Sequence, residues 1–443
     1  MKPKFRYALV TAGIIGFLII APLIYLFVTG TRYNFATHRF VKTGILAANT
    51  DPSGAEIFLN GKPYGATPAK IRFLDPGNYD IRISKSGYFD WRKHLQIQAQ
   101  YVTYANAGLK NLVMFFSNPS RTEIAGGVLN FFAGNNRLVF LTKGEINIAD
   151  VGSPDSASQI ALPQNFSSGS GSKIKASGDE NYFLISSGTQ YLLLDAQQKT
   201  AIDISPLMAG ILSAPSAVQF SGSDSLYALE GNALYSIDWR DKSKTKVLSG
   251  VSAYKTSGGA IYYLSAAPAD SASPEGLALS RAQLPSFASM ALVQNLPAWE
   301  NARIFVSPQN QIFIIGDGSL YAVSQNLRHL ADFVRTVQIQ NANSMLYATN
   351  NEIDLYDPAT QAVAFVTRSI EPISYPNASP GLGWVFYISK GKIRAIETDN
   401  RDTQNNYAFA AAGGLDAKYF ISADAKTIFY LNNGDLAELK IRQ

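Results

Sequence analysis

The chain has 443 residues, 47% of them hydrophobic, with 34 Gly, 20 Pro, 25 Phe, 23 Tyr and a formal charge of +5. That length exceeds one compact core and predicts at least two domains, and aromatics mixed with turn formers suit many short strands. The absence of cysteine excludes disulfides and cysteine-ligated metals, and charges of +3 over residues 1–6, +6 over 30–115 and −4 over the rest argue against a nucleic-acid protein, whose main domain would be basic.

The stretch YALVTAGIIGFLIIAPLIYLFV (residues 7–28) contains no charged residue. At about 1.5 Å per residue it spans about 33 Å as a helix, enough to cross the hydrocarbon core. Pro22 is tolerated in lipid, and Tyr7 and Tyr25 lie near the two ends, where aromatic rings favour the interface. A cleaved signal peptide would be shorter and end in a small-residue site, which Val28-Thr29-Gly30 is not. The lipid bilayer is therefore an expected partner through Tyr7 to Val28, with residues 1–29 forming the cytoplasmic N-terminus and a single-pass plasma-membrane anchor. Lys2, Lys4 and Arg6 favour the N-terminus inside, although Arg32, Arg39 and Lys42 follow the span; the bulk is then extracytoplasmic. A basic region beside a membrane suits anionic lipid head groups or anionic wall polymer. Residues 30–43 read as a tether.

Residues 44–110 read as a small all-β module. GILAAN (44–49) is a first strand, Asp51-Pro52-Ser53-Gly54 a turn, and AEIFL (55–59) a second strand. Asn60-Gly61 is the strongest short hairpin signal, because both positions of that turn need positive φ. Further strands are expected at 70–73, 79–84 and 91–97. The ordered elements Pro52-Ser53-Gly54-Ala55, Asn60-Gly61, Gly65-Ala66-Thr67-Pro68, Leu74-Asp75-Pro76-Gly77, Tyr79 and Gly87-Tyr88 resemble the PEGA domain family over residues 44–109, with Ser53 where the family usually has an acid. The resemblance implies an immunoglobulin-like β-sandwich of a surface protein, without an enzymatic role. Asn60, Gly61, Gly65, Gly77 and Gly87 are then expected to serve backbone angles rather than ligand contact. Arg82, Lys85, Arg92 and Lys93 are either a basic face toward lipid or wall polymer or a merely solvated face. Residues 111–120 are expected to link this module to the rest.

From residue 121 to 443 one pattern of short apolar strands and polar turns recurs. Second strands of the units begin at 138, 182, 226, 261, 312, 346, 385 and 428, spaced 44, 44, 35, 51, 34, 39 and 43 residues apart. Leu-Tyr recurs in the third strands at Leu234-Tyr235, Leu320-Tyr321 and Leu355-Tyr356. A period near 40 with about four strands per unit marks β-propeller blades. One such sheet cannot bury both faces, whereas radially stacked sheets cover each other. Eight blades are favoured, and seven is the alternative because the unit at 251–296 is long. The last unit has room for three strands, and residues 121–124 are expected to supply its outer one and close the ring. Several units resemble TolB-type and WD-type blades, best at ISADAKTIFY (421–430) and more weakly at 306–310 and 220–224. Ser422 and Asp424 also resemble the Asp-box of sialidases, and are read as a turn motif. Residues 164–172 and 267–274 read as flexible loops.

Chemistry-bearing motifs are scarce. His38, His94 and His329 are the only histidines, and none pair at metal-ligand spacing. A serine triad on the propeller would need His329, and no nucleophile elbow accompanies it. Phosphate-binding and calcium loops are missing. Asp195, Asp238, Asp317 and Asp354 are the carboxylates that a propeller axis would have to gather for glycoside hydrolysis, against ordinary turn roles. No catalytic, cofactor-binding or metal residue is assigned. The expected fold class is all-β with one transmembrane helix, a PEGA-like sandwich and a propeller. The expected function is non-catalytic: a cell-envelope surface protein presenting its propeller to a protein or cell-wall polysaccharide. The alternative is a membrane-tethered propeller glycosidase or polysaccharide lyase.

Overall fold

The computed structural model describes residues 3–443 apart from 35–37, 170, 212–216, 269–274, 325, 342–343, 380 and 413–416. Its N-terminal helix spans Pro3–Val28 and includes Pro22. Over Val10–Val28 the mean hydropathy is 2.4 and no residue is buried, so this helix is long and apolar enough to cross a membrane. Apart from it and a single helical turn at Ser205–Met208, regular structure among the described residues is β-strand.

The tether region contains a hairpin, Thr31–Asn34 against Arg39–Lys42. The end of the helix is fastened to the small module. Thr43 donates its backbone N–H and its hydroxyl to the Gly30 carbonyl at 2.9 and 2.6 Å, and the Phe27 and Phe73 rings lie 5.4 Å apart.

Two sheets then form the expected sandwich. One orders Val102–Tyr104, Gly44–Ala48 and Ala69–Leu74; the other orders Lys62–Ala66, Glu56–Leu59, Gly77–Ser84 and Trp91–Ile97. Strict alternation along Trp91–Ile97 turns Trp91, Lys93, Leu95 and Ile97 inward. Leu46, Ile57, Ile81 and Ile83 are wholly buried between the sheets. At the tip of the Glu56–Leu59 hairpin, Asn60 and Gly61 have φ of 49° and 78°, the left-handed pair that matches strand twist. Nothing lies within 4 Å of a Cβ placed on Gly61, so backbone angle alone selects glycine there.

The rest of the chain forms eight four-stranded antiparallel sheets among the described residues. Their innermost strands are Asn130–Ala133, Lys173–Ala176, Val218–Ser221, Val251–Ser257, Ala302–Val306, Thr336–Asn341, Ser374–Ser379 and Lys418–Ile421. Inner strands of the last and first sheets meet, as in a propeller. The long unit at 251–296 is one sheet. Second strands such as Ile312–Gly316 and Trp384–Ser389 are buried along their whole length, because neighbouring sheets cover both faces. The outer strand of the last sheet is Ser120–Ala125, which pairs with Asp435–Lys440 and joins the two ends of this region.

The sandwich is docked on the last two sheets through residues 111–120. Leu112–Val113 runs parallel to Thr50–Asp51. Phe115 is wholly buried, with its ring 5.0 Å from that of Trp384, 5.8 Å from Phe386 and 5.5 Å from Phe409. Phe116 N–H donates to the Ile441 carbonyl at 2.8 Å, and Arg442 reaches Asp51 at 2.8 Å.

Candidate functional site

The first strand of each sheet has one edge without a partner strand, and these edges surround the axis. The eight inner strands carry Lys173, Lys175, Lys255, Arg303 and Lys418, and no Asp or Glu. A cavity of about 870 Å³ lies among them, lined by Lys175, Lys255, Arg303 and Gln219 together with Phe220 and Phe305. The mildly acidic part of the chain thus has a cationic, aromatic axis.

Desolvation acts on these cations. Burial, with Lys173 and Lys255 adding repulsion, pulls the Lys175 ammonium down to about 8. Burial also lowers Lys255 and Arg303, and brings Lys418 down to about 8. Three of the groups bridge neighbouring sheets by donating to open-edge carbonyls or nearby backbone. Lys175 donates to the Val218 carbonyl at 2.8 Å and Arg303 to the Arg335 carbonyl at 3.1 Å. Lys418 donates to the Phe131 carbonyl at 2.5 Å and to Asn130. Lys255 has no such role: it forms no hydrogen bond or ion pair among the described residues.

The carboxylates considered from the sequence are not gathered at this axis; they lie in separate sheets, off the inner strands. Asp195 accepts from the N–H groups of Gln197 and Gln198, and Asp238 from those of Arg240 and Asp241. Asp357 does the same with Ala359 and Thr360, and four residues beyond each of the three comes a left-handed residue, Lys199, Lys242 or Gln361. This is a repeated turn between third and fourth strands. Asp317 accepts from Asn301 N–H at 2.9 Å. Asp354 is buried in a third strand, where desolvation and then the charge of Glu352 push its carboxyl up to about 6, against Arg368.

The histidines are equally dispersed. His329 pairs with Asp332 at 2.8 Å, His94 with Asp402 at 3.1 Å, and His38 lies 3.4 Å from the Tyr33 hydroxyl. No group of three His, Asp or Glu suited to a metal occurs among the described residues. Ser422 and Asp424 close a turn: the Ser422 hydroxyl donates to Asp424 at 2.7 Å, and both accept from Lys426 N–H. Ser177 and Asp179 repeat the motif in another sheet, the hydroxyl again donating at 2.7 Å. Of the loop at 164–172, the Ser167 N–H is bound to Gln190 at 2.8 Å, and Ser170 lies outside the described residues. The loop at 267–274 lies mostly outside them.

One member of the expected basic face of the sandwich is not on the surface. The Lys93 side chain is 0% exposed, with Nζ 2.5 Å from Glu397 Oε1 and 2.6 Å from the Asp399 carbonyl. Glu397 also accepts from Trp91 Nε1 at 2.9 Å and Asn405 at 2.7 Å, while burial raises its carboxyl against the pull of Lys93. Strand alternation within the module turns Lys93 inward, and only the docked propeller supplies its countercharge. Arg82 and Arg92 pair with Asp90 at 3.5 and 3.2 Å, and Lys85 donates to the Ser53 carbonyl at 2.9 Å.

The axial cluster was not read from the sequence, because its cations stand one or two to a strand, scattered from Lys173 to Lys418. Aligning the units and comparing charge on their first strands was the signal that would have found it.

Residues 43–112 match the PEGA domain family. No curated relative matches the chain. Among solved structures, the chain is similar to a eukaryotic initiation factor at 11% identity, covering 73% of this chain and 91% of that one, with a TM-score of 0.49. It is similar to virginiamycin B lyase from Staphylococcus aureus at 8% identity, covering 73% and 99%, with a TM-score of 0.42. It is similar to the N-terminal domain of Nup159 at 13% identity, covering 73% and 94%, with a TM-score of 0.39. These likenesses carry nothing about activity.

Proposed function

We propose that this chain is a single-pass protein of the cell envelope, with its N-terminus inside and its propeller held outside the plasma membrane as a non-catalytic binding or scaffold surface. Its partner in this reading is a protein or a cell-wall polysaccharide. The PEGA match and the propeller-like fold fit a surface-associated protein. The carrying observation is the unbroken series of joins from helix to sandwich to propeller, through Gly30–Thr43, then Lys93–Glu397 and Phe115. Joins of this kind hold a binding face in a set attitude to the membrane. Turn-capping use of Asp195, Asp238 and Asp317 supports an architectural propeller over a hydrolytic one. The test is protease treatment of intact cells making the full-length protein with a C-terminal tag. Loss of the propeller from outside is expected; full protection until the membrane is breached overturns the topology.

A further inference from the structure

The axial strands concentrate charge in a way that folding alone does not require. Lys175 and Lys255 are close enough to repel, and both are desolvated. Like charges brought together in a low-dielectric cleft destabilise the protein unless something neutralises them. No carboxylate on the inner strands does so. Bridging accounts for Lys175, Arg303 and Lys418, whose donors meet carbonyls of adjacent sheets. It does not account for Lys255, which faces the same cavity without a hydrogen-bond partner among the described residues.

The walls narrow the class of ligand. Phe220 and Phe305 line the cavity beside the cations, and Gln219 contributes an amide. Aromatic faces suit the C–H faces of sugar rings, while ammonium and guanidinium groups suit carboxylate or phosphate. A volume of about 870 Å³ lies within the range of small-ligand sites. We propose that the axial cavity binds an acidic saccharide, its anionic group held by Lys255, Lys175 and Arg303 and its ring faces by Phe220 and Phe305. This deepens the binding reading above by assigning a site and a ligand charge, and it does not depend on membrane orientation.

The experiment uses the full chain purified in detergent and titration calorimetry. The probes are trigalacturonate, glucose 6-phosphate, neutral maltotriose, inorganic phosphate and hexaglutamate. Binding of at least one acidic saccharide is expected, weakening at least tenfold between 50 and 500 mM salt, with none for maltotriose. Carboxylate and phosphate arms separate the two sources of negative charge. Lys255→Gln is expected to weaken that binding at least tenfold while leaving the melting temperature unchanged or raised, since it removes repulsion and no hydrogen bond. Lys199→Gln, on an outer turn, is expected to change nothing. Three results overturn the proposal: no acidic saccharide binding, unaltered binding by Lys255→Gln, or equally tight binding of inorganic phosphate or hexaglutamate. Because the measurement is made on purified protein, its failure leaves the topology untouched, and protection from protease in cells leaves this site untouched.

Discussion

Lys93 and Glu397, from two different domains, form an ion pair at 2.5 Å with side chains 0% and 4% exposed. Removing either partner strands a charge away from water, which typically costs about 3–5 kcal/mol. Lys93→Met is expected to destabilise the protein by that order, and Lys93→Met with Glu397→Leu by clearly less. Urea unfolding of both variants and the parent in detergent checks this. Equal losses in the single and double variants would show that the pair is not what matters.

Phe115 carries the apolar half of the same junction. Truncating a fully buried phenylalanine costs about 3–5 kcal/mol, and here the void would open between the sandwich and the propeller. Phe115→Ala is expected to split one cooperative unfolding transition into two, followed by tryptophan fluorescence, since Trp91 and Trp384 lie on either side of the junction. A single, unshifted transition would refute the coupling.

Asp354 gives a pH signature. Its carboxyl titrates at about 6 in the folded protein, with burial the main cause, and at about 3.9 when unfolded. A raised folded value means that its contribution is fully favourable below about pH 4 and is lost as pH rises through about 6. Asp354→Asn is therefore expected to be more stable than the parent at pH 7 by the order of 2 kcal/mol, the advantage vanishing near pH 4. Denaturant midpoints measured at each pH unit from 4 to 8 test it. A difference independent of pH would rule the mechanism out.

Gly61 separates backbone conformation from contact. It has φ of 78° and open space where a side chain would sit. Gly61→Ala is expected to cost about 1–2 kcal/mol through strain alone, while Asn60→Gly, already left-handed at 49°, is expected to stay near neutral. Thermal melting of both variants decides the matter; an equally stable Gly61→Ala would mean that the turn does not need its left-handed angle.

Much of the architecture was legible because its signals are local. Asn60-Gly61 announces a hairpin through two left-handed residues, and a repeat near 40 residues announces the sheets through their apolar second strands. The expected pairing of residues 121–124 with the final unit came from counting strands, since a three-stranded sheet leaves an edge open. The candidate carboxylates were harder to place. Asp195 and Asp238 look alike as turn caps or as catalytic acids until they are seen to accept from backbone N–H groups of the next turn.

By itself the sequence determined the apolar helix, the tight turns and most of the strands, because an uncharged apolar run, alternation and positive-φ residues act within a few positions. It also determined that the repeated sheets must stack, because none can cover both of its own faces. Only the tertiary structure decided that Lys93 is an interior residue and that Lys175, Lys255 and Arg303 share one cavity. Those groups lie far apart along the chain, and whether a charge is solvated, paired or crowded depends on what the folded sheets bring beside it.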